Sequence, residues 1–248
     1  MNAISAHMEE YLDCVKTIQN ELHKTIKPKN HPINFANLMQ ESLKVSSDWP
    51  SFNKKLGTSN AARRNHNYFG WMSINDKLLG NCKGAIYRSK EYMEIPLHQR
   101  NGEKKHNKNE YGPHHIHIEH SIPVNLILRY FLNYKNIYLE NHDHLINRRL
   151  HEAFLSISVC TALTRYEEEE AIIKKYKNEH PELDKKEIKV GSLSEIHPFK
   201  RYDFSKGLKL FEMITGSEIC PETFTLKDHI NLINKVDIYK WDYIDSKS

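Results

Sequence analysis

The residues best suited to chemistry lie close together near the middle of the 248-residue chain. His114-His115-Ile116-His117-Ile118-Glu119-His120 sets four histidines and one glutamate within seven positions. The alternation reads as a short strand, ended by Pro123, which cannot continue a central strand. On such a strand His115, His117 and Glu119 point to one side and His120 to the other. An acid beside an imidazole at a strand end can divide two jobs. The carboxylate holds a divalent cation, and the imidazole, titrating near neutrality, takes a proton from water. A lone histidine there would be a polar residue bonded to its neighbours. Four with a glutamate read as a site.

A second acidic group follows. Glu167, Glu168, Glu169 and Glu170 come directly after a strand-like stretch at 155–164, LSISVCTALT, and open a helix that runs to about residue 177. Acids in a first turn are favoured by the helix dipole, so taken alone the run is a solvated helix start. Beside an acid–histidine strand it becomes a source of metal ligands. Basic groups lie upstream. Arg63 and Arg64, with Asn65, His66, Tyr68, Phe69 and Trp71, combine guanidinium and amide groups that pair bidentately with base edges. Arg100, Lys104, Lys105 and Lys108 form a basic run just before the histidine strand, suited to a phosphate backbone.

Helical elements surround these strands. Ile4, Met8, Leu12, Val15, Ile18, Leu22 and Ile26 recur at three- and four-residue steps and predict an amphipathic helix over 3–26. A second helix is expected over 35–45, stopped before Trp49-Pro50, and 50–110 is irregular. Residues 124–138 read as helix, 141–149 as a polar connection and 178–191 as a charged linker. Near the C-terminus Leu208, Phe211 and Ile214 suggest a helix before Gly216. Thr225 is the N-cap of another helix, with Leu226, Ile230, Ile233 and Val236 on its apolar face.

Composition narrows the classes. Lys and Arg total 36 against 32 Asp and Glu, a net charge of +4, which excludes a polybasic tail but permits a local phosphate-binding surface. Only 9 glycines argue against Gly-rich nucleotide-binding folds. Cys14, Cys82, Cys160 and Cys220 form no CxxC pair, as expected for free thiols in a reducing compartment. No signal-peptide pattern opens the chain, and the apolar stretch at 124–132 is far too short to span a bilayer. A cytoplasmic protein without membrane attachment is the expectation.

Glu119-His120-Ser121-Ile122-Pro123 resembles the first strand of the HNH, or ββα-metal, endonucleases, where an acid–His pair is followed two residues later by proline. Leu163-Thr164-Arg165-Tyr166-Glu167-Glu168 is similar to the turn that leads that family's second strand into its helix. The resemblance covers roughly 112–178, and PFKRY at 198–202 is similar to a segment that follows this core in restriction-type members. It implies an α+β fold, predominantly helical, with a two-stranded ββα-metal nuclease core. The regions would be 1–110 (helical and irregular, DNA recognition), 111–178 (nuclease core) and 179–248 (C-terminal helices).

The resemblance also implies roles. His120 is the general base, Glu119 a metal ligand, and Glu167 or Glu168 a second ligand. Asn147, with Asn141 next in line, orients the base. Arg63, Arg64, Lys104, Lys105 and Arg165 contact DNA. One divalent cation per site is implied, Mg²⁺ first, with Mn²⁺ or Ca²⁺ as substitutes. Double-stranded DNA is the partner, with a homodimer on DNA and a cognate, not stably bound, DNA methyltransferase. Two departures stand out: some thirty residues separate the strands, and glutamates occupy the helix position where Asn or His is common.

Two other readings compete. His115-x-His117-x-Glu119-His120 approximates the HxHxDH zinc signature of metallo-β-lactamase-fold hydrolases, with His142, His144, His151 and His197 as further ligands. Against it, the acid is Glu, the next residues are Ser-Ile-Pro-Val rather than a Gly-rich turn, and Gly-bounded strands are scarce. A non-catalytic helical nucleic-acid-binding module leaves the Glu119-His120 pair without a task.

Overall fold

A computed structural model describes residues 3–22, 40–56, 84–100, 115–121, 131–133, 135–140, 160–164 and 208–236, with 129, 167, 177, 178, 181, 182, 199 and 202. Its elements in chain order are α1 (Ala3–Leu22), α2 (Trp49–Leu56), β1 (Tyr87–Ser89), α3 (Lys90–Glu94), β2 (Ile116–His120), α4 (Lys135–Glu140), β3 (Cys160–Thr164), β4 (Leu210–Glu212), β5 (Glu218–Ile219) and α5 (Leu226–Ile233). The strands form one mixed sheet in the order β2-β3-β1-β4-β5. Only β1 and β3 are parallel; the other neighbours are antiparallel. The three regions expected from sequence therefore each supply a strand to the same sheet.

The expected pair of strands is present within this larger sheet. β2 and β3 pair antiparallel, Ile116 with Thr164 through His120 with Cys160. The other three strands escaped the sequence pattern. β1 is three residues long, YRS, too short to show alternation. The helix expected around Leu208, Phe211 and Ile214 is instead the β4–β5 hairpin. The cause lies in the turn. The buried Glu212 carboxylate accepts backbone N–H bonds from Ile214 (2.8 Å), Thr215 (3.0 Å) and Ser217 (3.1 Å), and the Thr215 hydroxyl as well. Gly216 turns the chain at φ 76, a conformation that L side chains rarely adopt.

Helix α1 forms as expected but rotates its buried face. His7, Tyr11, Cys14 and Val15 are buried, whereas Leu12 is 41% exposed. A buried histidine displaces the apolar stripe because partners await it, as described below. Ile4 and Met8 pack on Gly216, where a Cβ would lie 2.7 Å from Met8 Sδ and 2.9 Å from Ile4 Cγ2. α5 follows its pattern closely. Thr225 and Asp228 form a capping box, and Leu226, Ile230, Ile233 and Val236 are all buried.

The helix expected to stop before Trp49-Pro50 does so, and that dipeptide opens another. Residues 40–45 are helical, and α2 begins at Trp49. The Asp48 carboxylate caps it by accepting the Ser51 N–H at 2.8 Å, and Pro50 lies in the first turn, where no N–H is needed. The Ser51 bonds hold the Asp48 carboxyl below the usual range. No helix among the described residues is long and apolar enough to cross a membrane.

Candidate active site

β2 lies at one edge of the sheet, and its last two residues are Glu119 and His120. The ladder sets Glu119 opposite Thr161 and His120 opposite Cys160, at the start of β3. His115 and His117 precede them and are buried, at 3% and 8% exposure. Ser121 follows His120 and is fully buried.

Three buried hydroxyls meet at this corner. Tyr202 donates to Thr161 Oγ1 at 3.0 Å, and Thr161 donates to Ser121 Oγ at 3.0 Å. Tyr202 is the last residue of PFKRY, and Phe199 of that segment is buried beside it, with ring centroids 6.3 Å apart. Phe199 also packs edge-on against Tyr87 and Phe224 at 5.0 Å each. The Tyr87 hydroxyl lies 2.6 Å from His229 Nδ1 on α5. Phe199 and Tyr202 are thus anchored in the core, and Tyr202 delivers its phenol to β3. The composition of PFKRY concealed this. Thr161 and Ser121 were likewise missed, because their meeting depends on strand register.

No family model, curated protein or solved structure matches the chain.

Glu167 lies at the other end of β3. Its carboxylate accepts the Thr164 N–H at 2.7 Å and the Thr164 hydroxyl at 3.0 Å, while Thr164 Oγ1 accepts the Glu167 N–H at 3.2 Å. This is the reciprocal exchange of a capping box. Ser89 Oγ donates to the same carboxylate oxygen at 2.6 Å, and that Ser89 oxygen caps α3 by accepting the Tyr92 N–H. One carboxylate therefore joins the ends of the two parallel strands. Burial raises the Glu167 carboxyl to about 7, against the lowering effect of the Ser89 and Thr164 bonds. Thr164 pairs with Ile116, three steps from Glu119, roughly 10 Å along the strand at about 3.3 Å per residue. The register thus sets Glu119 near the start of β3, while Glu167, expected as a metal ligand, caps its end.

Arg100, expected in an exposed basic run, is 7% exposed and bound inward. It donates to Glu10 at 3.3 Å, to the Tyr92 hydroxyl at 3.2 Å and to the Ile95 carbonyl at 3.1 Å. Arg88, fully buried, donates to the same Glu10 and to His7 Nδ1. Arg88 can only donate, so His7 Nδ1 accepts from it, while His7 Nε2 lies 3.1 Å from the Met93 carbonyl and 3.0 Å from Arg100 Nη2. Desolvation and then the neighbouring Arg88 and Arg100 charges lower the His7 imidazole to about 4. The cluster joins α1 to β1 and α3.

Asn147, Glu168, Arg63, Arg64, Lys104, Lys105 and Arg165 lie outside the described residues. Among the described residues, no three His, Cys, Asp or Glu side chains converge on a metal-sized site.

Proposed function

We propose that the chain is a metal-dependent endonuclease that hydrolyses phosphodiester bonds in double-stranded DNA, sequence-specific in the manner of type II restriction enzymes. One observation carries the reading. Glu119-His120 closes an edge strand antiparallel to β3, and β3 leads into the capped turn at Thr164. That order of strand, strand and helix-opening turn is what the motif residues call for.

In this reading His120 takes the proton from the attacking water, and Asn147 holds its imidazole in orientation. Glu119 holds one divalent cation, Mg²⁺ first, which when bound supplies charge stabilisation at the phosphate and the leaving 3′ oxygen. Glu168 keeps the ligand role implied for its turn, since Glu167 is committed to the two caps. The products carry 5′ phosphate and 3′ hydroxyl ends. Arg63, Arg64, Lys104, Lys105 and Arg165 supply phosphate and base contacts, and two copies on DNA cut both strands.

The test is incubation of a long duplex with Mg²⁺ or Mn²⁺. Discrete fragments that EDTA abolishes are expected. His120→Ala should remove cleavage while DNA retention in a gel-shift assay persists. A smear would replace specific cleavage with general nuclease activity. An intact duplex, or full activity in His120→Ala, would overturn the assignment.

A further inference from the structure

We propose that Tyr202, Thr161 and Ser121 form a positioning chain that fixes the end of β2 and, with it, the Glu119–His120 pair; the purpose of that fixing rests on the nuclease reading above.

The argument begins with a weakness of the strand. Among the described residues β2 is an edge strand, held by a ladder on one side, and its last paired residue is His120. The pair that must be placed accurately therefore occupies the end of an edge strand. Ser121 is the first residue past that ladder. Its hydroxyl is bonded to Thr161, the register partner of Glu119. This cross-strand bond is diagonal, from the partner of Glu119 to the residue two positions beyond Glu119, so it spans His120. It carries the pairing of β2 past the point where the backbone ladder stops.

Thr161 is itself well held. It sits on β3 between two partners, Glu119 on β2 and Tyr87 on β1. Its hydroxyl, which donates to Ser121, accepts from Tyr202, so its single proton is directed away from the phenol. Tyr202, Thr161 and Ser121 are each fully buried, where water does not substitute for a lost partner. The contacts bridge separations of 40 and 41 residues, so Tyr202, β3 and the end of β2 are tied at one point. Aliphatic and seryl hydroxyls do not titrate near neutrality, and the chain acts by placement rather than by proton transfer.

Thr161→Val keeps shape and strand preference and deletes both bonds; Tyr202→Phe deletes one; Thr161→Ser restores a hydroxyl. Cleavage of a duplex with Mg²⁺ or Mn²⁺ and amide hydrogen exchange at His120 and Ser121 are measured on all four proteins. Loss of a group that orients a site residue costs about 10–100-fold in activity. Thr161→Val should show that loss in kcat with KM unchanged, Tyr202→Phe a smaller loss, and Thr161→Ser recovery. Exchange at His120 and Ser121 should accelerate in Thr161→Val and not in Thr161→Ser. Wild-type kcat in Thr161→Val, a change in KM alone, or no recovery in Thr161→Ser would overturn the proposal. If the wild-type chain cleaves nothing, the nuclease reading fails by itself. Exchange then decides the fixing of β2: unchanged rates in Thr161→Val refute it, and accelerated rates uphold it.

Discussion

Two buried polar clusters on opposite sides of the sheet differ in kind. Arg88 pairs with Ala162 and Tyr87 with Thr161, so Arg88 and Thr161 project to opposite sides. On the Arg88 side, two arginines, Glu10 and His7 lock α1 down with charge. On the Thr161 side, a phenol, a threonine and a serine make a neutral chain beside the Glu119–His120 pair. The residue types usually associated with catalysis thus build scaffold, while plain hydroxyls stand next to the pair to which chemistry is assigned. Charged clusters hold elements together at large penalty if broken. Hydroxyl chains set geometry locally with little long-range field.

The largest test of this contrast is Glu10→Gln. It leaves Arg88 and Arg100 buried without their carboxylate, and removing one partner from a buried ion pair costs about 3–5 kcal/mol. Urea unfolding should show that loss with an unchanged m-value. A change below about 1 kcal/mol would mean that the guanidinium groups are solvated and the face is not ionic scaffold.

Next in size is Glu167→Gln, which asks whether this carboxylate belongs to the caps or to a cation. The folded pKa is raised, from 4.5 to about 7. Its contribution to stability is therefore fully present below about pH 4.5 and is lost as pH rises through 7. Taken at face value the shift corresponds to about 3 kcal/mol across that window. Gln keeps an accepting oxygen for Ser89 and Thr164 without titrating, so the decline between pH 4.5 and 7 should vanish. His7 has the opposite sign. Its folded pKa is lowered from 6.5 to about 4, so stability is present above 6.5 and lost as pH falls through 4. In Glu167→Gln the acid-side loss should remain alone. Cleavage at the wild-type rate in this variant fits a capping role, and a raised Mg²⁺ requirement would return Glu167 to the metal.

Legibility divided along the same line. Periodicity located α1 and α5, and β2 and β3 showed through the HIHIEH alternation and the CTALT run. Those signals are local. The fold's mixed α and β character was readable, but β1, β4 and β5 are two or three residues long and owe their existence to neighbours. The 208–216 stretch misled because Leu208, Phe211 and Ile214 mimic a helical step, while one glutamate and one glycine impose the turn. At the site, the acid–histidine pair was visible as adjacent letters. The Ser121–Thr161–Tyr202 chain was not, since hydroxyl partners 40 residues apart leave no pattern. Arg100 was misplaced for a related reason: its nearest charge partner, Glu10, is 90 residues away.

A smaller effect separates ionic from apolar docking of α1. Gly216→Ala should cost about 1–2 kcal/mol for the left-handed backbone alone, with the contact to Met8 Sδ added. Because Met8 has a flexible end, Met8→Ala combined with Gly216→Ala should relieve the Met8 contact but neither the 2.9 Å approach to Ile4 Cγ2 nor the backbone penalty. If the double variant instead recovers wild-type stability, the turn tolerates a side chain and α1 packing alone required glycine.

The smallest effect belongs to charge that is not buried. Lys209 and Glu218 lie 3.3 Å apart across β4 and β5, with side chains 52% and 46% exposed. The distance is the same as between Arg100 and Glu10, so distance cannot distinguish the two pairs. Solvent can. An exposed pair is worth about 0–1 kcal/mol and weakens further with salt, because ions screen charges on the surface within a Debye length of about 10 Å at 0.1 M. Lys209→Ala should change stability by no more than about 0.5 kcal/mol, vanishing at high salt, while the Glu10→Gln penalty persists there. Equal penalties for both would show that ion-pair geometry, rather than the burial of one sheet face, sets the strength of the scaffold.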